Sequence, residues 1–406
     1  MMFPIRLQVK PKPHSGQLAF LSSGARFRIV ACGRRFGKTT GAIMDMLKHL
    51  EKGITRFWWI APTYQQAKIA FRVLVAALPN SAVNINRSEL RIQFLDIAEF
   101  EFKTAERPDN LRGFGLDYVV IDEAGYIADD VWEAVIRPAL ADRQGKLLAI
   151  GTPRGKNWFY RLWLKGQERN QTEYQSWQMP SWVNPFLPKA EIEMLKATLP
   201  ERIWKQEIEA VFLDNAGGVF RNVEAVVQSY ALPAQPQGRV IVGVDLAKYE
   251  DFTVLVAMDE RGRVIDFDRF NQLDWEIQKA RIKNMARKYN ATLVLDSTGV
   301  GDPIYEDLRM MGLSVEGYKF TNESKERLIN NLAIQIENRK ILLPNIPELI
   351  SELQAFEYEI LPSGMVRFGA PTGYHDDCVI ALALAVWGSR TQRDATVLDK
   401  SDWGVW

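Results

Sequence analysis

Cysteine is nearly absent from this chain. Its 406 residues hold two, Cys32 and Cys378, and three histidines. Two cysteines build no disulfide framework, and a chain without a Cys-x-x-Cys pair offers no structural zinc site of the usual kind. Such usage points to a reducing compartment. An excess of one charge is missing too: 51 Lys and Arg stand against 50 Asp and Glu, a net of +1. A chain so balanced casts no global basic field, so any contact with nucleic acid must come from local patches. No apolar run reaches 18 residues and no apolar signal region opens the sequence. This reads as a chain that neither spans a membrane nor is secreted by a signal peptide. Internal repeats and low-complexity tracts are also lacking.

What is present is ordinary globular material, 47% hydrophobic and 25% charged, in a length that suits two domains. The most informative stretch is Gly33-Arg34-Arg35-Phe36-Gly37-Lys38-Thr39-Thr40. An apolar run over 27–31 precedes it and reads as a buried strand. Residues 41–50 follow with Ile43, Met46, Leu47 and Leu50 at helical spacing. Strand, glycine-bearing turn, Lys-Thr and helix make the context of a P-loop. There the turn's N–H groups and the helix N-terminus face the phosphates of a nucleotide. Lys38 reaches the β- and γ-phosphates, and the Thr39 hydroxyl ligates Mg²⁺. Gly33, Arg34, Arg35, Gly37 and Thr40 complete the candidate nucleotide-binding loop. The motif departs from G-x-x-x-x-G-K-[ST] in one place: Cys32 holds the position of the first glycine.

A second motif supports the first. Tyr118-Val119-Val120-Ile121-Asp122-Glu123 is a strand that delivers a Mg²⁺-binding carboxylate, Asp122, and a second carboxylate, Glu123, placed to activate water. Upstream, residues 1–25 read as an irregular lead-in with prolines at 4, 11 and 13. Gln17 lies there, either in a solvated turn or placed to hold an adenine edge. A strand over 146–151 runs into Thr152-Pro153, and Thr152 sits where a polar side chain can sense the γ-phosphate. Between these motifs the sequence alternates strand and helix signals: strands at 56–62, 90–94 and 99–103, helices at 64–78 and 131–141. This argues for a parallel sheet with helices on both faces, hence an α/β fold. Helices are expected over 158–167 and 188–213. A Gly-, Pro-, Asn- and Gln-rich region then marks a boundary. The resulting organisation is a first domain over 1–213, a linker over 214–238, a second α/β domain over 239–390 and a polar tail over 391–406.

The second domain carries its own chemistry. Strands over 239–245 and 291–296 end in Asp245 and Asp296. Asp376 and Asp377 open an apolar helix. Carboxylates from two strand ends and a helix start repel one another unless a divalent cation holds them, and an oxygen-rich set suits Mg²⁺ or Mn²⁺. Two such ions activate water and stabilise the leaving oxygen of a phosphodiester. Asp251 and Asp302 are nearby carboxylates with a weaker claim. Taken singly, each Asp reads more simply as a cap of a turn or helix. Which of Asp376 and Asp377 is the main ligand stays open.

The set Gly33 to Thr39, Asp122-Glu123, Gly151-Thr152-Pro153, Asp245, Asp296 and His375-Asp376-Asp377 resembles, in order and spacing, the large terminase subunit of tailed bacteriophages. The resemblance covers about residues 10–390. It implies a P-loop ATPase of the ASCE type followed by a nuclease of ribonuclease H-like fold, cutting concatemeric double-stranded DNA and pumping it into a procapsid. It further implies ATP and Mg²⁺, with Mn²⁺ an option at the nuclease site. Arg34 would contact the γ-phosphate region and Arg112 would act as an arginine finger. The implied partners are the portal protein, the small terminase subunit and further copies in a ring, five by resemblance, with a monomer in isolation. The implied location is the cytoplasm of the infected host cell, outside the mature virion. Two other readings compete: a repair helicase–nuclease, for which residues 154–238 leave little room for a second motor lobe, and an ATP-gated DNA-binding scaffold with an inactive nuclease.

Overall fold

The structure, a computed structural model, describes residues 12–390 except 215, 248–250, 299–300, 362–364 and 373. The prolines at 4 and 11 and the expected tail over 391–406 lie outside the described residues. Among those described, no helix is long and apolar enough to cross a membrane. The chain divides into two compact units, one built mainly from residues up to 197 and 202–214, the other mainly from 216–359 and 366–390.

The first unit is centred on an eight-stranded sheet. Its strands are β1 (Phe27–Cys32), β2 (Arg56–Ala61), β3 (Val83–Asn86), β4 (Arg91–Phe94), β5 (Ala98–Thr104), β6 (Tyr118–Ile121), β7 (Lys146–Gly151) and β8 (Tyr174–Met179), in spatial order β3-β4-β5-β2-β6-β7-β1-β8. Pairing is parallel from β5 to β8, and the edge β3-β4-β5 is an antiparallel meander. Strands covered on both faces read as unbroken apolar runs. Here alternate residues feed two cores. Val30, Trp59, Val120 and Leu148 pack toward the helices Lys38–Leu50 and Tyr64–Ala77, whereas Ile29, Trp58, Val119 and Ala149 pack toward Val131, Trp158 and Phe159. The parallel strands all end at one edge, where ligands bind in open α/β sheets.

Three expectations change here. The lead-in is not wholly irregular: Ser15–Leu21 is a helix, and the His14 N–H donates to Gln17 Oε1 at 3.1 Å across its first turn. The span 188–213 is not one helix but Lys189–Thr198 and, after Pro200, Glu201–Ile203 and Trp204–Ile208, because proline removes the N–H that would continue the first. The stretch 216–238 is not a bare linker. Ala216–Gly218 pairs with Glu357–Ile360, Val227–Gln228 pairs with Leu343–Pro344, and Val219, Val223 and Val226 are buried.

The second unit holds a five-stranded sheet in the order Val264–Phe270, Thr253–Asp259, Val240–Asp245, Thr292–Asp296, Val315–Tyr318. The first three are antiparallel neighbours and the last three are parallel. One face carries Val240, Val242 and Val244 against Ile282, Met285 and Leu308 of the helices Trp275–Tyr289 and Gly301–Met310. The other face receives the helix Asp377–Gly388, which is apolar almost all round and buried over most of its length.

Candidate active sites

In the first unit the three sequence motifs meet at one sheet edge. The loop after β1 turns with Arg35 and Gly37 at positive φ (61° and 92°) and delivers Lys38 to the start of its helix. Lys38 Nζ is buried and lies 3.2 Å from Thr152 Oγ1 at the end of β7, 3.4 Å from the carbonyls of Cys32 and Gly33, and 3.9 Å from Glu123. Asp122 follows β6. One of its oxygens accepts the Glu123 N–H at 2.9 Å, and Glu123 itself stands at φ 46°, which turns it sharply from the strand. Burial and the neighbouring Glu123 push the Asp122 carboxyl up to about 7, against the pull of Lys38. Two adjacent carboxyls beside one buried ammonium form a donor set that fits a divalent cation, and Thr39, at the start of the same helix, adds a hydroxyl.

The remaining residues of this set have defined places. Gln17 is buried and its Nε2 donates to the Gly37 carbonyl at 2.8 Å, so the lead-in helix braces the loop itself. Thr40 lies in the first turn of the helix. Gly33 is walled by Ser181 and Ile208, against which any Cβ would collide. Arg34, in the same loop, pairs with Glu207: its Nε donates to the Glu207 carboxylate at 2.5 Å and its N–H to the Glu207 carbonyl at 2.7 Å. Glu207 is buried, with Arg34 holding its carboxyl below the usual range against the cost of burial. Nothing in the spacing flagged Glu207, because 173 residues separate the pair. Arg112 is exposed after the turn Pro108–Leu111, with Nε 3.0 Å from Asp109.

The second unit gathers the carboxylates. Asp251, His375 and Asp377 present ligand atoms within 4.8 Å of one another. Asp377 Oδ2 also accepts the Phe252 N–H at 3.1 Å. Asp245 is pushed well above the usual carboxyl range by burial and then by Asp377, Asp376 and Asp296, so all four acids share one field. Asp377 is raised to about 6, by burial first and by Asp251, Glu352 and Asp376 as well. Asp296 is held by Thr298, whose N–H and hydroxyl both bond its Oδ1. Lys325 Nζ reaches Asp376 Oδ2 at 3.4 Å. Mutually repelling carboxyls with an imidazole at their rim fit hard divalent ions. His375 and Lys325 were missed as members. His375 was visible beside the acid pair; Lys325 had no signal at all. The side chain of Asp302 lies outside the described residues.

The Terminase RNaseH-like domain model matches residues 242–387, and that of the large-subunit N-terminal region, T4likevirus-type, matches 29–226. The large terminase subunit of Thermus virus P23-45 is 33% identical, over 92% of this chain and 87% of the relative. The chain belongs to the large terminase subunit family. The large terminase of Escherichia phage T5 is 27% identical over 53% of this chain. A solved large terminase from a thermophilic bacteriophage shares the fold, with a TM-score of 0.58 at 15% identity, over 92% of this chain and 98% of the other. As a large terminase subunit, the protein is a DNA-packaging motor with an ATPase half and a metal-dependent nuclease half. It works on DNA together with packaging machinery.

Proposed function

We propose that the first unit hydrolyses ATP with Lys38, Thr39, Asp122 and Glu123, and that the second cuts double-stranded DNA with Asp245, Asp296, Asp377 and Asp376, flanked by Asp251 and His375. The observation that carries the ATPase assignment is the convergence of Lys38, Thr152 and the Asp122–Glu123 pair at one sheet edge from three strands. Lys38 binds the phosphates, Glu123 accepts the proton of the attacking water, and Thr152 reads the γ-phosphate through its bond to Lys38. Mg²⁺, when bound at Thr39 and Asp122, neutralises phosphate charge; the acid cluster suits Mg²⁺ or Mn²⁺. Arg34, leaving Glu207, and Arg112, supplied from an adjacent copy, are the candidates for charge on the γ-phosphate. The partners are the portal protein, the small terminase subunit and further copies in a ring, in the cytoplasm of the infected host cell.

Two substitutions separate the chemistries. Glu123→Ala should retain ATP binding and lose hydrolysis, while Asp245→Asn should lose Mn²⁺-dependent cleavage of a supercoiled plasmid and keep the ATPase rate. The readouts are phosphate release, nucleotide binding and nicking with and without EDTA. Cleavage surviving EDTA, or parent-rate hydrolysis by Glu123→Ala, contradicts these assignments.

A further inference from the structure

The acid cluster of the second unit rests on a charged side chain that none of these roles employs. Glu352 lies in the helix Pro347–Ala355 and is 6% exposed. A carboxylate so buried is costly unless its oxygens are satisfied. Both are: Oε2 accepts the main-chain N–H of Cys378 at 2.7 Å, and Oε1 accepts its thiol at 3.1 Å. Cys378 is the second residue of the helix Asp377–Gly388, where N–H groups lack partners within the helix. Glu352 thus takes the N–H directly after Asp377.

Arg269 closes a circuit. Its Nη2 is 3.6 Å from Glu352 Oε1, and its guanidinium lies 3.4 Å from the centroid of the Phe252 ring. Phe252 in turn donates its N–H to Asp377 Oδ2. Asp377 is therefore held twice, by its main chain through Cys378 and by its carboxylate through Phe252, and Arg269 joins the two supports.

We propose that Glu352, with Arg269, is a positioning residue for the nuclease, fixing the start of the helix Asp377–Gly388 so that the Asp377 carboxylate stands ready for a divalent ion. Both Glu352 oxygens are engaged by Cys378, so it acts through Asp377. This rests on the reading of Asp245 and Asp377 as metal ligands.

The test is Mn²⁺ binding to the full chain, without nucleotide or DNA, read from the electron paramagnetic resonance signal of free Mn²⁺. Glu352→Leu should weaken binding about 10–100-fold, as loss of a partner behind a metal ligand does. Glu352→Gln keeps one acceptor for the Cys378 N–H and should fall between parent and Leu. Arg269→Met should weaken binding in the same direction. Cleavage lost in Glu352→Leu should return as Mn²⁺ is raised, which a merely structural role would not produce. Parent affinity in a folded Glu352→Leu overturns the proposal. If that variant does not fold, parent affinity in both Glu352→Gln and Arg269→Met overturns it, and weakened binding in them supports it. Asp245→Asn separates the two levels: if it too binds Mn²⁺ like the parent, the metal-site reading itself has failed.

Discussion

Beneath the P-loop, Arg28 is wholly buried on β1. Its guanidinium donates to both Asp45 oxygens at 2.9 and 2.5 Å, to the Tyr118 hydroxyl at 2.7 Å and to the Phe20 carbonyl at 3.1 Å. Tyr118 also donates to Asp45. One charge thereby ties the strand before the loop, the helix after it and the strand that delivers Asp122. Burial pushes the nearby His49 down to about 4, so it is neutral at pH 7 and adds no second cation beside Arg28. Removing one partner of a buried pair strands the other, at a cost of about 3–5 kcal/mol. Asp45→Ala should therefore lower the stability of the first unit by that amount, measured on its urea unfolding transition; a loss below ~1 kcal/mol would show that Arg28 finds other partners. None of this was legible beforehand. Arg28 sat in a run read as an apolar strand, and its partners lie 17 and 90 residues away. Lys38, Asp122, Asp245 and Asp296 were legible because each ends or follows an apolar strand, a pattern that depends only on local sequence.

At the scale of elements, the acid cluster of the second unit gathers where a helix lies very close to a strand. Gly243, two residues before Asp245, faces the helix Asp377–Gly388, and a Cβ there would collide with the Ala381 carbonyl and the Ala385 N–H. The absence of a side chain lets the helix settle on the sheet, which brings Asp377 toward Asp245. Gly243→Ala should force the two apart, costing about 1–3 kcal/mol as overpacking does. It should also reduce plasmid cleavage while phosphate release continues at the parent rate; full cleavage would show that the helix tolerates the shift. Elements with a plain apolar period are legible in the sequence whether or not they end in a motif, among them 64–78, 90–94 and 99–103; others, β8 first among them, are not. β8 is an edge strand with Gln175, Ser176 and Gln178, too polar to announce itself, yet it flanks β1 and leads to Ser181 against Gly33. The helices Gly301–Met310, Asn322–Glu337 and Pro347–Ala355 went unassigned, and with them Lys325 and Glu352.

The whole molecule joins two units, each with its own sheet, its own core and its own set of acids. Hydrolysis and cleavage should therefore separate by mutation, as the Glu123→Ala and Asp245→Asn pair tests. Arg112 is exposed, with its Nε 3.0 Å from Asp109, and in the proposed motor it is the side chain that would be offered to a neighbouring copy. The measurement that tests the motor reading most directly is ATP-dependent protection of linear double-stranded DNA from DNase by portal-bearing procapsids. With the parent chain, and equally with Asp245→Asn on DNA already cut, protected DNA should accumulate as ATP is consumed, and with Glu123→Ala none should. Protection by Glu123→Ala at the parent level, or ATP consumption by the parent with no DNA protected, would contradict the account.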